Sequence, residues 1–126
     1  MDDWVWLRED VVLAMHTEQL TEHGGPPGIR DQGLLQSALA RPRNPCGYGD
    51  PDACDLAAAY AYGIAKNHPF IDGNKRTAAL AALLFLVLNN VAFDISEAAL
   101  VVMTLDLAAG LLTEQDVAAW FRDHLT

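Results

Sequence analysis

From Ala78 to Leu88 the chain runs without a polar side chain, "AALAALLFLVL". A run this long falls short of the roughly 20 residues that a bilayer span needs, so it has to be buried in protein. Being apolar nearly all round, it is expected as a helix from Lys75 to Leu88 in the middle of a bundle, with Asn89-Asn90 as its end. At 126 residues the chain suits one domain, residues 1–126. An apolar fraction of 52% and a mean hydropathy of +0.11 supply a core and exclude a disordered chain.

The rest of the pattern is helical. Arg8 to His23 carries Val12, Met15, Gln19 or Leu20, and His23 at three-to-four spacing, and Gly24-Gly25 stop it. "GGPPGIRD" cannot continue a helix, because its prolines lack the amide donor and its glycines favour a turn; a loop, flap or small hairpin is expected there. "DQGLLQSALARP" restores the periodicity through Leu34, Leu35, Ala38 and Leu39 until Pro42, and Arg41 to Pro51 reads as a connecting loop. In "DACDLAAAYAYGIAK" either Asp52 or Asp55 can cap the first turn, and that helix ends by about Asn67 ahead of Pro69. Ser96 opens a helix to about Ala109, with Gly110 as its stop. "TEQD", Thr113 to Asp116, resembles a capping box before a stripe of Val117, Trp120, Phe121 and Leu125. With no period-two alternation and no internal repeat, the expectation is an all-α bundle of about six helices.

Charge and cysteines narrow the function. A net charge of −9 and a pI near 4.6 argue against direct binding of nucleic acid, which needs a surplus of Lys and Arg. The N-terminal "MDDWVWLRED" has acids where a signal peptide needs bases, so a cytoplasmic location is expected. Cys46 and Cys54 have no CxxC spacing and read as two reduced, incidental thiols.

The polar residues gather just before the apolar helix, in "HPFIDGNKR". A helix N-terminus presents unpaired N–H groups and the positive end of the dipole. Gly73 lets a ligand approach the backbone, Asn74 adds an amide donor, and Lys75 and Arg76 add full charge, a set that suits a polyphosphate. Asp72 has two readings: it caps the helix, or it supplies the hard oxygen that a phosphate-bound Mg²⁺ takes. His68, with Pro69 fixing its backbone and Phe70 anchoring it, is placed to take the proton of an attacking hydroxyl. His16 and His124 lack such surroundings and read as structural or surface residues. A base, a metal ligand and a phosphate cradle in this order fit phosphoryl or nucleotidyl transfer.

"HPFIDGNKR" closely resembles the signature of the Fic/Doc superfamily, in its death-on-curing (Doc) toxin branch, and "HGGPPGIRDQGLLQSALARPR" resembles that branch's flap and following helix. The resemblance covers essentially the whole chain. It implies that His68 is the catalytic base, that Asp72 helps hold Mg²⁺, that Gly73, Asn74 and Lys75 line an anion hole and that Arg76 neutralises phosphate charge. The flap, Gly28, Ile29, Arg30 and Asp31, is expected to line up the target by backbone pairing. Lys66 is expected, from its position alone, to add charge nearby. Members that transfer AMP have a glycine at the place of Lys75 and a second arginine at the place of Ala79. The Doc branch departs in the same way as this chain, and there ATP lies reversed and its γ-phosphate meets the target. The resemblance therefore implies a protein kinase using ATP and Mg²⁺ on a Ser or Thr hydroxyl, with elongation factor Tu as the best-known type of target.

No Ser or Thr here begins the S/T-x-x-x-E pattern of a built-in inhibitory helix. Inhibition is then expected in trans, from a Phd-like antitoxin whose C-terminal segment folds into the toxin's groove. Two other readings stand beside this one: an AMP transferase of the same fold, and a catalytically silent antitoxin-binding module.

Overall fold

Four of the helices in the computed structural model begin on a side-chain oxygen aimed at a free amide. Asp31 accepts from Leu34 N at 2.9 Å and opens α2 (Gln32–Ala40), while Ser96 accepts from Ala99 N at 3.1 Å and opens α5 (Glu97–Ala108). Asp52 and Asp55 cap each other's amides at the start of α3 (Ala53–Asn67), so both readings of that cap hold together. Thr113 and Asp116 form the same reciprocal box at α6 (Glu114–Asp123). The exceptions are α1 (Glu9–His23) and α4 (Asn74–Leu88), which have no side-chain cap. The structure describes residues 3–44 and 49–126, so Cys46 and part of the expected Arg41 to Pro51 loop lie outside it. A 3₁₀ turn, Arg41–Arg43, follows α2.

Among the described residues the fold is all-helical, with six α-helices and no strand. The centre of the bundle, however, is α3 and not the greasier α4. α3 packs against α2, α4, α5 and α6, and its residues from Leu56 to Ala61 are buried without a break. α4 packs on α3, α1 and α5 and leaves Val87 and Leu88 exposed. The reason is size: alanines let four neighbours approach one helix closely, whereas a leucine-rich helix holds them further away. At Gly63 a Cβ would stand 3.2 Å from the Ala38 carbonyl, so α2 and α3 meet where no side chain fits between them.

Two stripes differ from expectation. In α1 His16 is buried, while Met15 is only partly buried and His23 is exposed. In the last helix Val117, Ala118 and Phe121 face the core, whereas Trp120 is half-buried and Leu125 is exposed. Nor does the flap make a hairpin with itself: Ile29 forms one antiparallel bridge, to Phe70.

The Cys54 thiol is buried and free. Burial first, then the nearby Asp52 and Asp55 carboxylates, push it up to about 11, so it stays a protonated thiol. Asp52 also pairs with Arg122, whose Nε and Nη2 donate to it at 2.8 and 3.2 Å. Burial alone would raise the Asp52 carboxyl, but the Arg122 hydrogen bond and the Asp55 amide outweigh it and hold the group below its usual range.

Replacing Asp52 by alanine is expected to cost about 1–2 kcal/mol through the lost cap. Asp52→Asn keeps the cap and loses only a half-exposed ion pair, which is worth about 0–1 kcal/mol. Because the folded carboxyl is depressed, its contribution is present above the unfolded pKa of about 3.9 and lost as pH falls through the folded value. Urea denaturation should therefore show the gap between wild type and Asp52→Asn closing below about pH 4.

Candidate functional site

The loop between α3 and α4 is held in shape by side chains whose hydrogen bonds are internal. His68 caps α3 in the left-handed region, φ 52° and ψ 54°, and Pro69 follows it. Phe70 is fully buried and stacks on the His16 ring at 3.8 Å. The other edge of His16 donates from Nε2 to the Asp72 carbonyl at 2.7 Å, which fixes the tautomer because a carbonyl only accepts. His16 is thus structural, as its isolation in the sequence suggests.

Asn74 does not offer its side chain to an anion. Its Oδ1 accepts from Phe70 N at 2.8 Å and its Nδ2 donates to Phe70 O at 2.9 Å, and the residue is only 3% exposed. What Asn74 has left for a ligand is its backbone N–H. The sequence pattern names the residue but not the partner, since an i, i−4 pair across a loop has no local signature.

Asp72 does not cap α4. Gly73 occupies the N-cap at φ 80°, and among the described residues the Asp72 side chain accepts only from the Gly73 amide, at 2.8 Å through Oδ1. The backbone N–H groups of Asn74, Lys75 and Arg76 have no acceptor among the described residues. Lys75 and Arg76 are exposed and make no ion pair or side-chain hydrogen bond among those residues. An uncapped helix start, two unengaged cations and a carboxylate with a free oxygen therefore face the same opening.

That opening is a cleft of about 650 Å³ lined by His68, Asp72 and Gly73 to Arg76, by the apolar side chains of Leu80, Leu83, Leu100 and Val101, and by the acids Glu22 and Glu97. A lining that joins a polar cluster to apolar side chains suits a ligand with a charged group on a flat, less polar body. Gly73 suits this place by its φ of 80°, which residues with a Cβ rarely adopt, and a Cβ on it would also collide with the side-chain amide of Gln19. Gln19 lines the cleft, is 3% exposed, and its Nε2 has no partner among the described residues. The sequence gives no sign of it, since Gln19 falls on an ordinary buried stripe.

The structure brings His68, Asp72, Gly73, Asn74, Lys75 and Arg76 together but does not bring Lys66 to the cleft. Its ammonium lies over the Tyr62 ring at 5.5 Å, beside Gly110, because His68 has already left the helical path that Lys66 still follows. In the flap, Gly28 O accepts from Ile71 N at 3.1 Å, and Arg30 N and Asp31 N donate to Pro69 O at 2.7 and 3.0 Å. The Asp31 carboxylate caps α2. Those groups are tied to the loop and are not free for a target strand. Ile29, with its N–H and C=O outside this pairing, keeps an unengaged edge among the described residues. The guanidinium of Arg30 turns inward onto the carbonyls of His68 and Asn67.

No cluster of three or more His, Cys, Asp or Glu that could hold a metal by itself occurs among the described residues. The donor set nonetheless fits Mg²⁺, which commonly takes one or two carboxylates and completes its shell with phosphates and water. Asp72 is the residue that would hold it. Among the described residues no helix is long and apolar enough to cross a membrane.

A family model described as the Fic/DOC family matches residues 6–86, more than half of the chain. Over 113 residues the chain is 34% identical to the "Protein kinase doc" of Escherichia phage P1, with 88% of each chain covered. Over 98 residues it is 43% identical to "Toxin Doc" of Mycolicibacterium smegmatis, with 72% of each covered.

Proposed function

This chain belongs to the Fic/DOC family, and on that premise we propose that it is a Doc-type toxin that transfers the γ-phosphate of ATP to a Ser or Thr hydroxyl of a cellular protein. The observation that carries the reading is the shared opening of His68, the free Asp72 oxygen and the uncapped start of α4 with Lys75 and Arg76. The relative from phage P1, named a protein kinase, favours the γ over the α position.

In this reading the phosphates lie against the amides of Asn74, Lys75 and Arg76, and the nucleoside lies along the apolar wall. His68 accepts the proton of the target hydroxyl as its oxygen attacks the γ-phosphorus; the bond from that phosphorus to the bridging oxygen breaks, and ADP leaves. Asp72 would hold Mg²⁺, which would neutralise phosphate charge. Lys75 and Arg76 stabilise the charge spread over the transferring group. The free edge of Ile29 lines up the target segment as an added strand. Lys75 replaces the glycine of AMP-transferring members and lines the cleft beside Gly73, Asn74 and Arg76. In this reading its side chain crowds the seat that ATP phosphates take in those members, which favours the reversed nucleotide.

The target class is a translation factor such as elongation factor Tu, and the inhibitor is a Phd-like antitoxin acting in trans, a reading favoured by residues 1–126 containing no S/T-x-x-x-E pattern. The test supplies the purified protein, Mg²⁺ and bacterial extract with ATP labelled at the γ- or the α-phosphate. Label passing to protein from γ alone is the expected result. Transfer from α would make the protein an AMP transferase, and transfer from neither would leave an antitoxin-binding module.

A further inference from the structure

We infer that Arg30 is a positioning residue for His68, acting through the backbone of the loop and not by docking the target. The inference rests on the reading of His68 as the base. A residue that precedes proline is driven away from helical dihedrals toward extended ones, and one that is not glycine rarely has positive φ. His68 nevertheless sits at φ 52° and ψ 54°. Such a conformation persists only where the surroundings over-determine it.

Arg30 supplies that constraint on three successive carbonyls. Its Nη2 donates to Asn67 O at 2.8 Å, its Nε to His68 O at 2.7 Å, and its backbone N–H to Pro69 O at 2.7 Å. The guanidinium is a planar fork with donors at fixed spacing, so it holds both side-chain bonds at once and sets the direction of the peptide after His68. Asn67 is tied separately, through its Nδ2 to Leu34 O at 2.9 Å, which anchors the frame that Arg30 works against. Arg30 does not line the cleft, and its guanidinium bonds to the loop carbonyls and not to the Ile29 backbone. Its route to the chemistry is the torsion of His68: if the His68 carbonyl turns, the imidazole swings away from the phosphate cradle.

The test compares full-length wild type, Arg30→Ala and Arg30→Lys by steady-state transfer from ATP and by the backbone carbon NMR shifts of His68. In Arg30→Ala, kcat is expected to fall about 10- to 100-fold with KM for ATP within about twofold, and the His68 shifts are expected to leave the left-handed range. Free guanidinium ion added to Arg30→Ala is expected to restore part of the rate. A folded Arg30→Ala with unchanged kcat overturns the inference, as does a loss of stability with kcat per folded molecule intact. Should Arg30→Ala not fold, Arg30→Lys decides. It keeps the charge and loses the fork, so unchanged shifts and rate in it overturn the inference. If wild type transfers no phosphate, the proposed function fails by itself, and the His68 shifts alone still judge whether Arg30 sets that backbone.

Discussion

Removal of the His68 imidazole is expected to lower transfer by about 10²–10⁴-fold, the range that a positioned general base contributes. Fold and nucleotide affinity should survive. The side chain is exposed and makes no hydrogen bond among the described residues, so its loss leaves no buried group unpaired. The backbone is the complication, because alanine is less tolerant of the left-handed region than histidine or asparagine. His68→Asn is therefore the better companion to His68→Ala. Asparagine accepts φ near 52° and cannot take up a proton at neutral pH. Both variants should lose turnover to a similar extent, with a denaturation midpoint in Asn close to wild type. Full activity in His68→Asn would remove His68 from the base's role, whatever alanine did.

The helix boundaries were legible because their chemistry is local. Ser96 and Thr113 each cap the amide three residues on, and such a contact is written in spacing; Asp31 does the same for α2 although it was expected in the docking flap. What lies at the centre of the bundle was not. A run such as Ala78 to Leu88 states that burial is favourable, but not that smaller side chains in Ala57 to Ala61 draw more neighbours onto α3. Within the site, residue types were legible and their directions were not. Asn74 reads as a ligand donor until its amide is seen bonded to Phe70, and Asp72 reads equally as a cap until Gly73 takes that place. Arg30 and Lys66 have the same kind of ambiguity, since a long cationic side chain reaches several places from one Cα. Lys66 turns onto Tyr62, while Arg30 turns onto the loop.

Asn74→Ala is expected to destabilise the protein by about 2–4 kcal/mol, since it strands a buried N–H and a buried C=O that were paired through one side chain. Both bonds reach Phe70, whose ring is fully buried on His16, so water cannot readily replace them without loosening that stack. Asn74→Asp isolates the two halves. It keeps an acceptor for Phe70 N and turns an oxygen toward Phe70 O where a donor stood, so at neutral pH it should be no more stable than alanine. Asn74→Gln has the right groups on a longer stem and should not recover the geometry in so enclosed a place. Urea denaturation measures the cost, and nucleotide affinity at a temperature where each variant is folded measures the effect on the cradle. Weaker binding is expected throughout, because the amides of Lys75 and Arg76 point at a ligand only while the preceding loop keeps its shape. A variant that lost stability but bound nucleotide as wild type does would mean that the start of α4 holds the phosphates without the loop; one that lost neither would show that Phe70 is held by its stacking alone.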